Sequence, residues 1–300
     1  MTIKTDSISH YLPKDLLNII EDYVPDIIID GVPKTDNQVS LTDLANAKVI
    51  HFYPTFKLKN DTRLPNCEKV SGVPIIVATS LCQLFENSKI QNSPDLSFWD
   101  VSNVRDMSGM FRRAESFNSD LSCWDVSNVE DMSFMFLNAE LFNSELNDWD
   151  VFFVKDMIGM FDGAYLFNAD LSNWDVSNVE DMSWMFEDAL SFNSDLSDWN
   201  VLNVKNMVGM FDGATSFNSD LSDWIVSNVV DMSLMFNRAE SFNSDLSDWI
   251  VSNVVDMDWM FNRAKSFNSD LSDWNVSKVL KMEEMFRGTK ISIPHWYKDN

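Results

Sequence analysis

The chain reads as a repeat solenoid, with one short parallel strand plus one short helix in each 25-residue coil and a small α/β cap at the front. Three observations predict this class. Tryptophan recurs at Trp99, Trp124, Trp149, Trp174, Trp199, Trp224, Trp249 and Trp274, an unbroken spacing of 25. The residues between them repeat too, as W-D-V-S-N-V-x-D-M-S-x-M-F-x-x-A-x-S-F-N-S-D-L-S-D. Proline then vanishes, since seven of the eight lie in the first 94 residues and none falls between Asp95 and Ile293. A fixed period of this length marks units that bury their apolar faces only against neighbours.

Counting each Trp as position 1, the apolar positions are 1, 3, 6, 9, 12, 13, 16, 19 and 23. Positions 1 to 6 fit an extended segment with a bend. Positions 9, 12, 13 and 16 fall at helical spacing, so M-S-x-M-F-x-x-A predicts one or two helical turns. Asp at position 8 suits a helix N-cap, and S-F-N-S-D-L-S is loop chemistry. Apart from Met1, every Met occupies position 9 or 12, and 15 of the 22 Phe residues occupy positions 13 and 19. Such stripes belong to a core. Asn recurs at position 20 (Asn118 through Asn268) and at position 5 (Asn103 and Asn128, for example), where side-chain amides are expected to bond from coil to coil.

Four segments follow. Residues 1–40 form a capping or adaptor-like helix segment, and 41–94 an N-terminal cap. From about residue 70 that cap holds a degraded repeat, in which Leu84-Phe85 stands for Met-Phe. Residues 95–286 carry the eight regular repeats, and 287–300 close the array with Pro294 and Trp296. A 50-residue superperiod overlies the 25: KDMIGMFDGA at 155–164 returns as KNMVGMFDGA at 205–214, a sign of growth by duplication.

The formal charge is −25, and between Asp95 and Phe286 there are 35 acidic against 10 basic side chains. An array so acidic repels phosphate backbones, which excludes nucleic acid as its partner. A solubilising coat accounts for the charge. The three cysteines, Cys67, Cys82 and Cys123, form no disulfide framework and point to a reducing compartment. The first residues lack a continuous signal-peptide core, and no apolar run approaches the roughly 20 residues that cross a bilayer. A soluble, cytoplasmic protein without a membrane span is expected.

Catalytic chemistry does not assemble. His10, His51 and His295 all lie outside the regular repeats, and no Cys/His pair or phosphate loop is present. Acidic columns at position 8 (Asp106, Asp131) and position 22 (Asp120, Asp170) offer Ca²⁺ ligands or a hydrolase acid/base pair on paper. Capping and turn duties explain both columns, and the glycine-rich calcium repeat is missing. A non-enzyme without cofactors is expected. The informative departures are at exposed positions: position 2 turns from Asp to Ile225 and Ile250, and position 7 from charge to Val230, Val255 and Leu280. These five residues form a candidate partner-binding patch, with neutral drift as the plain alternative.

The 25-residue consensus resembles the repeat of the BspA-type leucine-rich-repeat surface proteins over about two-thirds of the chain. The resemblance implies a leucine-rich-repeat-like solenoid with a binding or surface role and no catalysis. An export signal like theirs is not expected from the first residues. Near the start, Leu12, Pro13, Leu16, Leu17, Ile20 and Tyr23 resemble the opening helix of an F-box, which implies docking on a Skp1-like adaptor of a ubiquitin ligase. A start of this kind joined to a repeat array is similar to proteins of large DNA viruses of amoebae, which implies host cytoplasm. A protein-recognition scaffold is the leading expectation. A structural or surface protein that self-associates through the side of the solenoid is the alternative.

Overall fold

The computed structural model describes residues 25–91 and 94–298. Leu12, Pro13, Leu16, Leu17, Ile20 and Tyr23 lie outside the described residues.

Local turn chemistry builds the front. Strands β1 (Ile27–Ile29) and β2 (Val32–Lys34) pair antiparallel across Asp30-Gly31. Both turn residues hold positive φ, 48° and 82°, a geometry that Asp-Gly tolerates and that matches strand twist. Helix α1 (Leu41–Asn46) starts on a capping box. The Asp43 N–H donates to Ser40 Oγ at 3.1 Å, and the Ser40 N–H donates to the Asp43 carboxylate at 2.9 Å. Those bonds to Ser40 hold the Asp43 carboxyl down at about 2. Strand β3 (Val49–Phe52) pairs antiparallel with β1 and parallel with β5 (Lys69–Gly72), in sheet order β2-β1-β3-β5. A second parallel pair joins β4 (Lys57–Leu58) to β6 (Ile75–Ile76).

From Ser80 onward parallel pairing shrinks to one bridge per coil. It runs from Ser80 to Asp106 and on through Asp131, Asp156, Asp181, Asn206, Asp231 and Asp256 to Lys281. Past each bridge the backbone alternates. N–H groups at positions 9, 11, 13 and 15 donate forward to carbonyls of the next coil, as in Met107 to Asp131, Gly109 to Ser133 and Phe111 to Met135, at 2.9, 2.8 and 2.9 Å. N–H groups at positions 12, 14 and 16 instead close turns on carbonyls three residues back, as in Met110 to Met107 and Ala114 to Phe111.

This differs from the expected helix. Among the described residues of the array there is no α-helix and no strand longer than a bridge. Positions 11 and 15 carry positive φ in every coil, from Gly109 (59°) and Arg113 (57°) to Glu284 (47°) and Gly288 (81°). A left-handed residue at every fourth place rotates the peptide out of the i−4 ladder and aims its N–H at the neighbouring coil. Asp at position 8 caps a turn rather than a helix: Asp106 Oδ1 accepts from the Ser108 N–H at 2.9 Å and from its Oγ at 2.6 Å. The bend expected in the extended segment at positions 1 to 6 is a tight turn, with the Val104 N–H on the Val101 carbonyl at 2.8 Å.

Stacked rings fill the interior. Indoles from Trp124 to Trp249 lie face to face, with centroids 6.3 to 6.5 Å apart and planes within 4°. Each buried indole N–H donates to a leucine carbonyl of the preceding coil, as in Trp124 to Leu96 (2.7 Å) and Trp274 to Leu246 (2.9 Å). Trp99 begins the series on the Gly72 carbonyl. Phenylalanines form two further columns, for example Phe136–Phe161 at 5.6 Å and Phe142–Phe167 at 6.0 Å, with 3.9 Å between columns inside a coil. Trp296 lies 6.4 Å from Trp274 and continues the indole stack. One apolar core runs from Ile27 to Ile291. The Asn columns tie coils together from outside: the Asn193 N–H donates to Asn168 Oδ1, and Asn203 Nδ2 to the Ser177 carbonyl.

The superperiod has a packing origin. Position 11 alternates Gly109, Phe134, Gly159, Trp184, Gly209. The Phe134 ring lies over Gly159, where a β-carbon would stand 2.8 Å from Cδ1, and the Trp184 ring covers Gly209, leaving no room for one. At position 15, Asn138 covers Gly163 and Asp188 covers Gly213 in the same way. Two coils, one with large residues and one with glycines, make one packing unit.

Candidate recognition surfaces

Position 7 begins as an ionic ladder. Because adjacent coils place equivalent residues side by side, Arg105, Glu130, Lys155, Glu180 and Lys205 alternate in sign along the array. Arg105 pairs with Glu130 at 2.8 Å, Lys155 with Glu130 at 3.7 Å, and Lys205 with Glu180 at 2.5 Å. Bonding to Lys205 lowers the Glu180 carboxyl below its ordinary value. Exposed pairs of this kind contribute little to stability. At Val230 the charge stops while the backbone ladder continues: Val255 N–H to Val230 carbonyl and Leu280 N–H to Val255 carbonyl, both 2.8 Å. Val230 and Leu280 are exposed and Val255 half-buried.

Ile225 and Ile250, exposed by 55% and 59%, occupy position 2 of adjacent coils. The turn from Val226 to Val229, closed at 3.0 Å, separates them from position 7. Each apolar column is therefore contiguous, and the two columns stand on either side of one tight turn.

A second apolar group was not anticipated from the sequence. Leu141 and Leu166 at position 18, with Tyr165 and Leu190 at position 17, are all exposed on successive coils. Phe152 and Phe153 at positions 4 and 5 meet edge to face at 5.2 Å and are exposed as well. The signal was available: these residues replace the polar residues usual at positions 17 and 18 and the Ser-Asn usual at 4 and 5.

Positions 20, 22 and 24 line a polar groove. Near the front, Asn118, Asp120, Ser122, Asn143 and Glu145 border a cavity of about 520 Å³, and the same positions border cavities at Asn193–Asp220 and Asn243–Asp270. Asp195 Oδ1 accepts the Ser197 N–H at 3.0 Å, and that bond with its side-chain partner lowers the Asp195 carboxyl. Asp220 and Asp245 repeat the arrangement. Among the described residues no three His, Cys, Asp or Glu side chains converge as metal ligands.

Residues 66–163, 144–229 and 192–296 each match the family described as "Mycoplasma protein of unknown function, DUF285". The chain belongs to the DUF285 family. None of the curated proteins matches it. The three matches overlap, as they must where units are interchangeable, and they establish this DUF285 chain as a repeat protein. Among its described residues no helix is long and apolar enough to cross a membrane.

The bridge face of the DUF285 array carries a third set of side chains. Position 14 stacks Asp162, Glu187 and Asp212 on successive coils. Burial pushes Asp162 up to about 6. Burial, then the Asp162 charge, pushes Glu187 up to about 7. Arg238 reaches Asp212 at 2.8 Å and Asp188 at 3.1 Å, yet burial still raises Asp212. Among the described residues no cation lies within ion-pair distance of Asp162 or Glu187. Of the thiols, Cys67 is buried and Cys123 exposed.

Proposed function

We propose that this DUF285 chain is a non-enzymatic protein-recognition scaffold, a leucine-rich-repeat-like solenoid whose uniform core carries a varied exterior. The observation that carries the reading is the change in column 7. Five alternating charges give way to Val230, Val255 and Leu280, with Ile225 and Ile250 across one turn, while the core positions of the coils at Trp224 and Trp249 stay as buried as before. Since the interior does not require those apolar side chains, contact with another molecule is what would use them. The resemblance to BspA-type repeats supports a binding role.

Affinity capture from the native cell, followed by mass spectrometry, tests the reading with two baits: the native chain and an I225D/V230D/I250D/V255D variant. The variant is expected to keep its circular dichroism spectrum and lose specific partners. An identical partner set on both baits refutes the patch. Contiguity within each column favours self-association as the second reading. In that case the native chain elutes on a sizing column as an assembly and the variant as a monomer.

The F-box-like start adds a proposed contact with a Skp1-like adaptor through Leu12, Pro13, Leu16, Leu17, Ile20 and Tyr23. An L16D/L17D variant of the full chain loses the adaptor if this holds. A native chain that retains no adaptor refutes it.

A further inference from the structure

Position 11 presents aromatic rings in a way the core does not need. Glycine serves there in three coils, yet Phe134, Trp184 and Trp259 hold the same left-handed backbone at φ 57°, 60° and 60°. For residues with a β-carbon that conformation costs roughly 1 to 2 kcal/mol. The rings of Phe134 and Trp184 lie over Gly159 and Gly209, so one face of each is sealed by backbone. Phe134 keeps 37% of its surface exposed, and Trp184 is half-buried. The result is a pair of flat aromatic platforms, Phe134 and Trp184, two coils or roughly 10 Å apart at the spacing of paired strands, with Trp259 three coils further on.

The position-14 column runs beside these rings. A β-carbon at Gly159 would lie 3.8 Å from the Asp162 β-carbon, which fixes positions 11 and 14 as neighbours on one face. Trp184 is thus bordered by Asp162, Glu187 and Asp212, of which only Asp212 is salt-bridged, to Arg238, whose charge also acts on Glu187. The chain already shows how such a place is filled. The Arg112 guanidinium stands 5.9 Å from the Phe134 centroid and 3.5 Å from Glu86, and Arg238 bridges Asp188 and Asp212. An aromatic face with an adjacent carboxylate attracts a guanidinium or ammonium through both ring quadrupole and charge. The net charge of −25 draws the same class of partner from a distance. A neutral glycan stacks on rings but leaves Asp162 and Glu187 unpaired, and an anion is repelled.

We propose that the Trp184 platform binds an arginine- or lysine-bearing segment of a partner protein, one cationic side chain lying on the indole and reaching Asp162 and Glu187. The proposal goes beyond the scaffold reading and rests on different residues from Ile225 and Val230. Failure of the apolar-patch experiment leaves it standing, and the reverse also holds.

Fluorescence anisotropy of a labelled Gly-Arg-Gly-Arg-Gly-Ser peptide with the full chain provides the test. Trp184→Gly installs the residue that neighbouring coils use, so the frame is kept, and melting curves check it. The W184G chain is expected to bind about five- to tenfold more weakly, the range of a desolvated cation–π contact. D162N/E187Q is expected to do the same. D195N/D220N, which removes equal charge from the polar groove, is expected to change binding less than twofold. Equal weakening by the groove variant, or unchanged binding by W184G, overturns the proposal in favour of diffuse charge attraction. Binding of a neutral β-1,4-linked hexasaccharide that W184G abolishes, without peptide binding, overturns it in favour of a glycan surface.

Discussion

Gly209 and Trp184 should be energetically coupled with a sign that only the ring-over-glycine packing produces. Gly209→Ala places a methyl group where the Trp184 benzo ring lies, so the indole must leave its seat. Trp184 is half-buried. A tryptophan buries roughly 200 Å² when fully enclosed. About half of that, at about 25 cal/mol per Å², amounts to about 2.5 kcal/mol lost with the ring. Alanine at φ 58° adds about 1 kcal/mol of backbone cost. The single variant is therefore expected to lose about 3.5 kcal/mol. In a W184G background the ring is already gone, and the same alanine should cost only the backbone share of about 1 kcal/mol. A double-mutant cycle by guanidinium unfolding, followed by far-ultraviolet circular dichroism, measures the difference. A Gly209→Ala cost that is equal in both backgrounds refutes the packing argument and with it the physical account of the superperiod.

Further tests follow from the interior and the acidic column. Phe186 is fully buried, with stacked partners at 3.9 Å (Phe192) and 5.6 Å (Phe161 and Phe211), so F186A should cost about 4 kcal/mol by denaturant unfolding. Glu187 titrates higher when folded than when unfolded. Its contribution is thus fully present below the ordinary carboxylate value and is lost as pH rises through about 7. After allowance for solvent screening, E187Q is expected to exceed the native chain by about 1 kcal/mol at pH 8 and to match it at pH 4, read from melting at the two pH values. Cys123 should alkylate in the native state. Cys67 is buried, its thiol pushed up to about 12 chiefly by burial, and should react only on unfolding, as mass spectrometry of peptides would show.

The spacing of Trp, Met and Phe was legible because a core shared between neighbours must repeat in register. Trp124, Met132 and Phe136 could not drift without breaking contacts on both sides. The helix expectation went astray at positions 9, 12, 13 and 16, whose spacing also suits consecutive turns with left-handed residues between them. Glycine carried the missing signal. Six of the eight glycines, among them Gly109, Gly163 and Gly213, sit at positions 11 and 15, inside the supposed helix where glycine is unfavourable. Apolar residues at 225, 230, 250, 255 and 280 stood out because they broke a charged column. Leu141, Tyr165, Leu166 and Leu190 hid among loop positions of mixed character. Pairing of Trp184 with Gly209 was not readable, since it depends on how one coil overlies the next.

The forward-pointing N–H groups at positions 9, 11, 13 and 15 give the stack a direction. Every internal junction repeats one pattern, these donors pointing forward and the position-7 N–H pointing back, so a block of two coils can be added or removed without altering either terminus of the stack. The two termini are chemically unlike, and neither flanking region can substitute for the other. Lengthening by copying is therefore easy for this architecture, whereas inversion of a single unit would set like dipoles against one another. The evolutionary record in KDMIGMFDGA and KNMVGMFDGA is of the permitted kind.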